Sequence, residues 1–134
     1  MADTVTSQTI QDGDKIAVLK FTNVSDGTGE SAVKKVDVSA LKSNSLGQSC
    51  TSVTISRIYW ACVGMRVNIE FDASTNVLAM PLPADSTGDE YYDLFTGIPN
   101  NAGSGVTGDI DFTTVGHSSG DAYSIILYLT KIYG

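Results

Sequence analysis

Residues 65–71, Met65-Arg66-Val67-Asn68-Ile69-Glu70-Phe71, alternate apolar and polar side chains without interruption. A period of two puts Met65, Val67, Ile69 and Phe71 on one face of a strand and Arg66, Asn68 and Glu70 on the other. A helix cannot gather that set on one stripe. Upstream, Val53 and Ile55 alternate, and then the phase slips so that Ile58, Trp60 and Cys62 continue it. A β-bulge near Ser56-Arg57 accounts for the slip. Val63-Gly64 is short enough to predict a hairpin between the two strands.

Other segments extend the pattern. Lys15 to Val24 is β-branched and apolar on both faces, which predicts a strand covered on both sides. Ala32 to Val38 alternates weakly. Asn76 to Leu82 is a short strand marked by Pro81 and Pro83, residues that belong at a sheet edge. Ile110 to Val115 and Ala122 to Ile132 follow, with His117-Ser118-Ser119-Gly120 as the turn between them. The run around Tyr123-Ser124-Ile125-Ile126-Leu127 is the richest in apolar residues, so this strand is expected centrally or at a subunit contact.

Between the strands lie Ser25 to Gly29, Ser43 to Gly47, Asp72 to Thr75, Pro83 to Asp89 and Pro99 to Gly108. Such turns, recurring about every 8–12 residues, are the spacing of an all-β sandwich or barrel. The chain has 13 Gly, and twelve of its 15 acids are Asp, which favours turns over helix interiors. Only Val38 to Lys42 has room for a helical turn, with Ser39 as its cap. The 134 residues are close to the roughly 150 typical of one domain. The expectation is therefore an all-β chain: a single antiparallel β-sandwich, jelly-roll-like, over residues 1–134.

Charge narrows the function. The net charge is -7. That balance argues against gripping a nucleic-acid backbone or an anionic membrane surface, both of which need clustered cations. No apolar run approaches the roughly 20 residues that span a bilayer, and no secretory signal is visible at the start. The charge is unevenly divided: seven of the eight Lys/Arg lie in residues 1–66, and only Lys131 lies beyond. Halves on different faces make a dipolar molecule suited to docking; halves mixed in one sheet cancel the asymmetry.

Two motifs occur by letter only. Gly103-Ser104-Gly105-Val106-Thr107-Gly108 matches the dinucleotide fingerprint, but an Asn- and Pro-containing loop precedes it and a strand follows it, where the chemistry requires strand and then helix. Gly116-His117-Ser118-Ser119-Gly120 matches a nucleophile elbow, yet His117 is the single histidine and is adjacent to the serine. A hairpin turn is the simpler reading. No catalytic residues and no cofactor are expected. Asp85, Asp89, Glu90 and Asp93, or the pair Asp109 and Asp111, could offer oxygen ligands to Ca²⁺, although the EF-hand spacing is absent. Cys50 and Cys62 are too few for a zinc site, and Cys62 on an apolar face predicts a buried free thiol; a disulfide is the alternative. Trp60 belongs to the core phase. Tyr59, Trp60, Tyr91, Tyr92 and Phe95 also raise a sugar-stacking platform. As a contact surface, Tyr91, Tyr92 and Phe95 are the candidates, with Asn100 and Asn101 from the 99–108 loop.

The blocks Asn101 to Ile110 and Phe112 to Asp121, whose most specific stretch is GDIDFTTVGHSSGD, resemble a family of small virion structural proteins of tailed phages infecting marine cyanobacteria. Gln8-Thr9, Asp12-Gly13, Lys20-Phe21, Lys35 to Ser39 and Tyr123 to Leu127 share the resemblance. It implies a non-enzymatic virion protein assembled in the host cytoplasm, and a capsid decoration (cement) protein is the placement it favours. The implied partners are the major capsid protein or another virion protein, together with copies of the chain itself, a homotrimer being favoured. A tail or baseplate protein, or a carbohydrate-binding module on the virion surface, is the alternative.

Overall fold

A computed structural model describes residues 3–92 and 97–133. Among these residues there are nine strands: β1 (Thr4–Asp12), β2 (Ile16–Val24), β3 (Val33–Val36), β4 (Cys50–Val63), β5 (Arg66–Phe71), β6 (Val77–Leu82), β7 (Ser86–Tyr91), β8 (Ile110–Val115) and β9 (Ala122–Tyr133). They form a five-stranded sheet in the order β1-β2-β9-β4-β7 and a four-stranded sheet in the order β3-β8-β5-β6, with antiparallel pairing throughout. Only β1–β2 and β5–β6 are joined as hairpins. Every other connection passes from one sheet to the other. With β1 set aside, two four-stranded sheets linked in this way make a jelly roll, the all-β sandwich expected from the turn spacing.

The core lies between the sheets. β5 buries Val67, Ile69 and Phe71, as its alternation requires, with Met65 buried just before it. β9, third of five, buries Tyr123, Ile125, Leu127 and Leu129 and is the central strand anticipated from its composition. Each such side chain stabilises by about 1.5–3 kcal/mol on burial. Phe112 from β8 meets Phe21 edge-on at 5.4 Å between centroids and Tyr123 at 5.8 Å, tying the two sheets together. The register of β4 against β9 shifts between Ile55 and Arg57, so the bulge lies where the phase slip placed it. β6 is an edge strand, which suits Pro81 within it.

Several expectations are corrected. Val63-Gly64 does not make a hairpin, because β4 and β5 lie in different sheets. Gly64 turns the corner at φ 80°, donating its N–H to Asp85 Oδ1 at 2.7 Å, so that Cys62 and Met65 face one interior from opposite layers. The 117–120 turn likewise links the sheets rather than closing a hairpin. β2 is fully covered on its inward face only: outward, Val18 is buried but Ile16 and Val24 are exposed. The helical turn is a 3₁₀ turn over Val38–Ala40 capped by Asp37, which accepts from the Ser39 N–H at 3.0 Å, rather than by Ser39. β7 occupies residues assigned to the Pro83 to Asp89 turn, and β1 was not anticipated. The two charge halves interleave in the five-stranded sheet, whereas in the four-stranded sheet the first half supplies only the edge strand β3 and Arg66. Lys34–Asp109 and Arg57–Asp89 pair first-half cations with second-half acids, and Lys131–Asp12 runs the other way.

Candidate functional site

The bulge in β4 shapes the outer face of the five-stranded sheet. Ser56 takes the extra position, its hydroxyl donating to the Tyr128 carbonyl at 2.9 Å. Arg57 is thereby set in register with Tyr91 on β7 and Tyr128 on β9. Its guanidinium carbon lies 4.2 Å from the centroid of the Tyr91 ring and 4.7 Å from that of Tyr128. Nε and Nη2 donate to the two oxygens of Asp89 at 2.7 and 2.6 Å, a bidentate fork that holds the Asp89 carboxyl below its usual range. The result is a rigid plate of two phenol rings and a neutralised cation.

Tyr59 stands on the same face, opposite Asp89 and Ile126, and is 48% exposed. A groove of 350 Å³ runs beside the plate, lined by Ile16, Ser56, Arg57, Tyr91, Tyr128 and Thr130. Val24 and Val63 are exposed nearer the other end of this face. Chemically this surface can bury against a broad, mainly apolar partner, with phenol hydroxyls for polar contacts at its rim.

The structure divides the candidate contact residues. Tyr91 joins the plate. Tyr92 does not: it is half-buried against the core, its N–H donates to the Ser56 carbonyl at 2.8 Å, and burial pushes its phenol pKa up. The one-residue step from Tyr91 reverses the side of the strand, which takes Tyr92 off the exposed face. Phe95 lies outside the described residues, as does Asp93. Asn100 and Asn101 fall farther along β4, past the Ile55–Ile98 bridge. Asn101 is exposed, whereas Asn100 is turned to its own loop and accepts from the Ala102 N–H at 2.9 Å. Sequence reasoning missed Arg57 and Tyr128. Their signal was present in the bulge, which moves Arg57 onto the outward face, but the pairing of β4 with both β7 and β9 is a tertiary fact.

The letter motifs sit as follows. The 103–108 segment is a loop leading into β8, with no helix after it. Gly108 has φ 87° and lies so close to the Thr51 carbonyl that a β-carbon has no room. His117 Nδ1 is 3.1 Å from Thr114 Oγ1, and its ring packs against Gly29. Asp85 binds the Gly64 N–H and Asp89 binds Arg57. Among the described residues no three His, Cys, Asp or Glu side chains are grouped to hold a metal ion. Cys50 and Cys62 are buried free thiols.

No family model matches this chain, and no curated protein does. A solved cupin superfamily protein from Desulfitobacterium hafniense is similar to it over 98% of this chain and 81% of its own, at 13% identity and a TM-score of 0.36. The fold assignment rests on the strand order described above.

Proposed function

We propose that this protein acts by adhesion, as a non-enzymatic structural component of a tailed-phage virion, and that it is a capsid decoration protein bound to the outer head shell. The observation that carries the reading is the Tyr91–Arg57–Tyr128 plate, set in the exposed outer face of the five-stranded sheet. Aromatic and Arg side chains held rigid in this way are what a protein interface uses as anchors. The similarity of the 108–121 stretch to small cyanophage virion proteins supports the same reading.

The mechanism is bridging. A footprint of roughly 1,000 Å² or more across a seam between shell subunits adds cohesion that opposes internal pressure. Many equivalent copies, trimeric in this proposal, multiply a modest affinity by avidity. The test is co-sedimentation with expanded shells purified without this protein. Wild type is expected to bind and raise the shell melting temperature, and Tyr91→Ala combined with Tyr128→Ala to lose binding at least tenfold. Absence of wild-type binding refutes the reading. Immunogold labelling confined to the tail would assign the protein to the tail or baseplate. A sugar platform is less favoured, since the guanidinium already covers one face of both Tyr91 and Tyr128.

A further inference from the structure

β1 is fastened to the molecule at its two ends and by little in between. It pairs with β2 from Thr4 to Asp12, yet residues Thr4 to Gln11 are all exposed. Its inward face lies opposite Leu19, Phe21 and Asn23, and so carries Val5, Ser7 and Thr9. These side chains look onto two adjoining clefts of 160 and 250 Å³, because the second sheet is one strand shorter and ends at β3. Residues 4–9 are thus held by main-chain bonds to β2, with little apolar burial to offset the entropy of ordering them.

The two ends are fastened differently. At one, Asp12 accepts from Nζ of Lys131, whose side chain is fully buried, and from the Lys42 N–H at 2.9 Å. The turn to β2 closes beside it, with the Gly13 N–H on the Ile16 carbonyl at 2.9 Å. Next to this anchor the register slips between Thr9 and Gln11, which leaves Ile10 unpaired in a bulge. At the other end the Asp3 carboxylate sits in a cradle of donors. Asn23 Nδ2 donates to one oxygen at 3.1 Å; the Asp26 and Gly29 N–H groups, at 3.2 and 3.1 Å, and the Ser25 hydroxyl, at 3.4 Å, donate to the other. Asn23 and Ser25 are 1% and 3% exposed. The cradle is braced from outside β1: the Ser25 N–H and carbonyl bond to Asp121 and Gly120 at 2.7 and 2.8 Å, and the His117 ring packs on Gly29. Burial opposes ionisation of Asp3, but the bonds from Asn23, Gly29 and Asp26 outweigh it and hold the carboxyl below its usual range.

We propose that residues 3–9 form a flap, latched by Asp3 in the 23–29 cradle and hinged at the Ile10 bulge, which opens as one unit while Asp12 stays anchored. Opening breaks the β1–β2 ladder, bares the main-chain edge of β2 and unroofs the clefts lined by Leu19 and Phe21. The β2–β9 ladder and the braced cradle stay in place. The position of the flap therefore decides whether the β2 edge is available for pairing. Asp3 is the tipping group, because it gathers four donors onto one side chain while the rest of the flap adds only ladder bonds. A strand that merely frays would loosen progressively from Thr4 inward; a latched flap opens all at once.

The test is native-state hydrogen exchange, read residue by residue on wild type and on Asp3→Ala. In wild type the hydrogen-bonded amides between residues 4–9 and β2 should share one opening equilibrium, about 100-fold more open than that of the β2–β9 amides. Asp3→Ala removes no core side chain and should raise exchange of all these flap amides by one common factor of about tenfold, the amides of residues 125–129 keeping their wild-type rates. The wild-type pattern is a readout independent of the variant. Protection that climbs steadily from Thr4 to Thr9 would show fraying and overturn the proposal. Flap amides as protected as those of β9, or flap exchange unchanged in Asp3→Ala, would overturn it as well.

Discussion

Asp111 and Asp72 lie close together on the outer face of the four-stranded sheet, near enough for each carboxyl to shift the other's pKa. Asp111 is 3% exposed; its Oδ2 accepts from Asn76 Nδ2 at 3.0 Å, while its Oδ1 is buried without a hydrogen-bond partner among the described residues. Asp72 accepts from the Thr107 hydroxyl at 2.7 Å, and Asn76 also reaches Glu70 at 3.2 Å. Lys34, engaged with Asp109, is the nearby cation.

Two neighbouring carboxylates oppose each other's ionisation, and burial opposes it further. Burial first, and then Asp72, pushes the Asp111 pKa up to about 6, while the Thr107 hydroxyl is the main cause holding Asp72 low. The folded protein therefore holds a proton on Asp111 between the ordinary carboxylate range and pH 6 that the unfolded chain has released. The Asp111 contribution is favourable at the acid end and is lost as pH rises through 6; that of Asp72 has the opposite sign and is lost as pH falls. Asp111→Asn should stabilise the protein more at pH 7.5 than at pH 4.5, measured as the melting difference from wild type. An equal difference at both pH values contradicts the raised Asp111 pKa.

Gly88 on β7 lies against the Trp60 indole, where a β-carbon would overlap the ring. The indole N–H is fixed to Ser86 Oγ at 3.1 Å, so the ring cannot retreat without losing that bond. Gly88→Ala should destabilise by about 1–3 kcal/mol in denaturant melts and shift the Trp60 emission. Unchanged emission would show that the contact is slack.

Lys35 and Glu30 form a buried ion pair at 2.5 Å, and the Tyr123 hydroxyl donates to Glu30 at 2.5 Å. Their side chains are 8% and 5% exposed. Lys35→Met leaves a buried carboxylate short of its cation and should cost about 3–5 kcal/mol in denaturant melts. A loss below 1 kcal/mol would mean that water reaches Glu30 after all.

Burial pushes the Cys62 thiol pKa up to about 11 and raises that of Cys50 as well. Neither thiol is a ready nucleophile in the folded state. A thiol-specific chromogenic reagent at pH 8 should label neither cysteine until denaturant is added, then both. Rapid labelling of the native protein would contradict the packing.

Local chemistry made much of this fold legible. The alternation of residues 65–71 gave β5 its buried face, the phase slip located the bulge, and Pro81 marked an edge. Pairing was not legible. Gly64 turns between layers with its N–H held by Asp85, distant in sequence, and nothing near Val63 encodes that partner. β1 went unseen because its inward side chains, Val5, Ser7 and Thr9, face an open cleft and need not be uniformly apolar. For the same reason Tyr91 was recoverable as an exposed aromatic, whereas its stacking on Arg57 and the role of Tyr128 required strand order.

β9 follows the other eight strands in the chain, yet it is the seam on which the larger sheet is assembled, joining β2 to β4. Until it emerges from the ribosome, β1–β2 and β4–β7 are separate ribbons with unpaired edges. The pairing that unites them spans most of the chain, Ile16 with Thr130. Such distant closure is slow, and it leaves the incomplete chain exposed to aggregation during synthesis. Closure of β9 on β2 and β4 is thus the step that commits the larger sheet to its native arrangement.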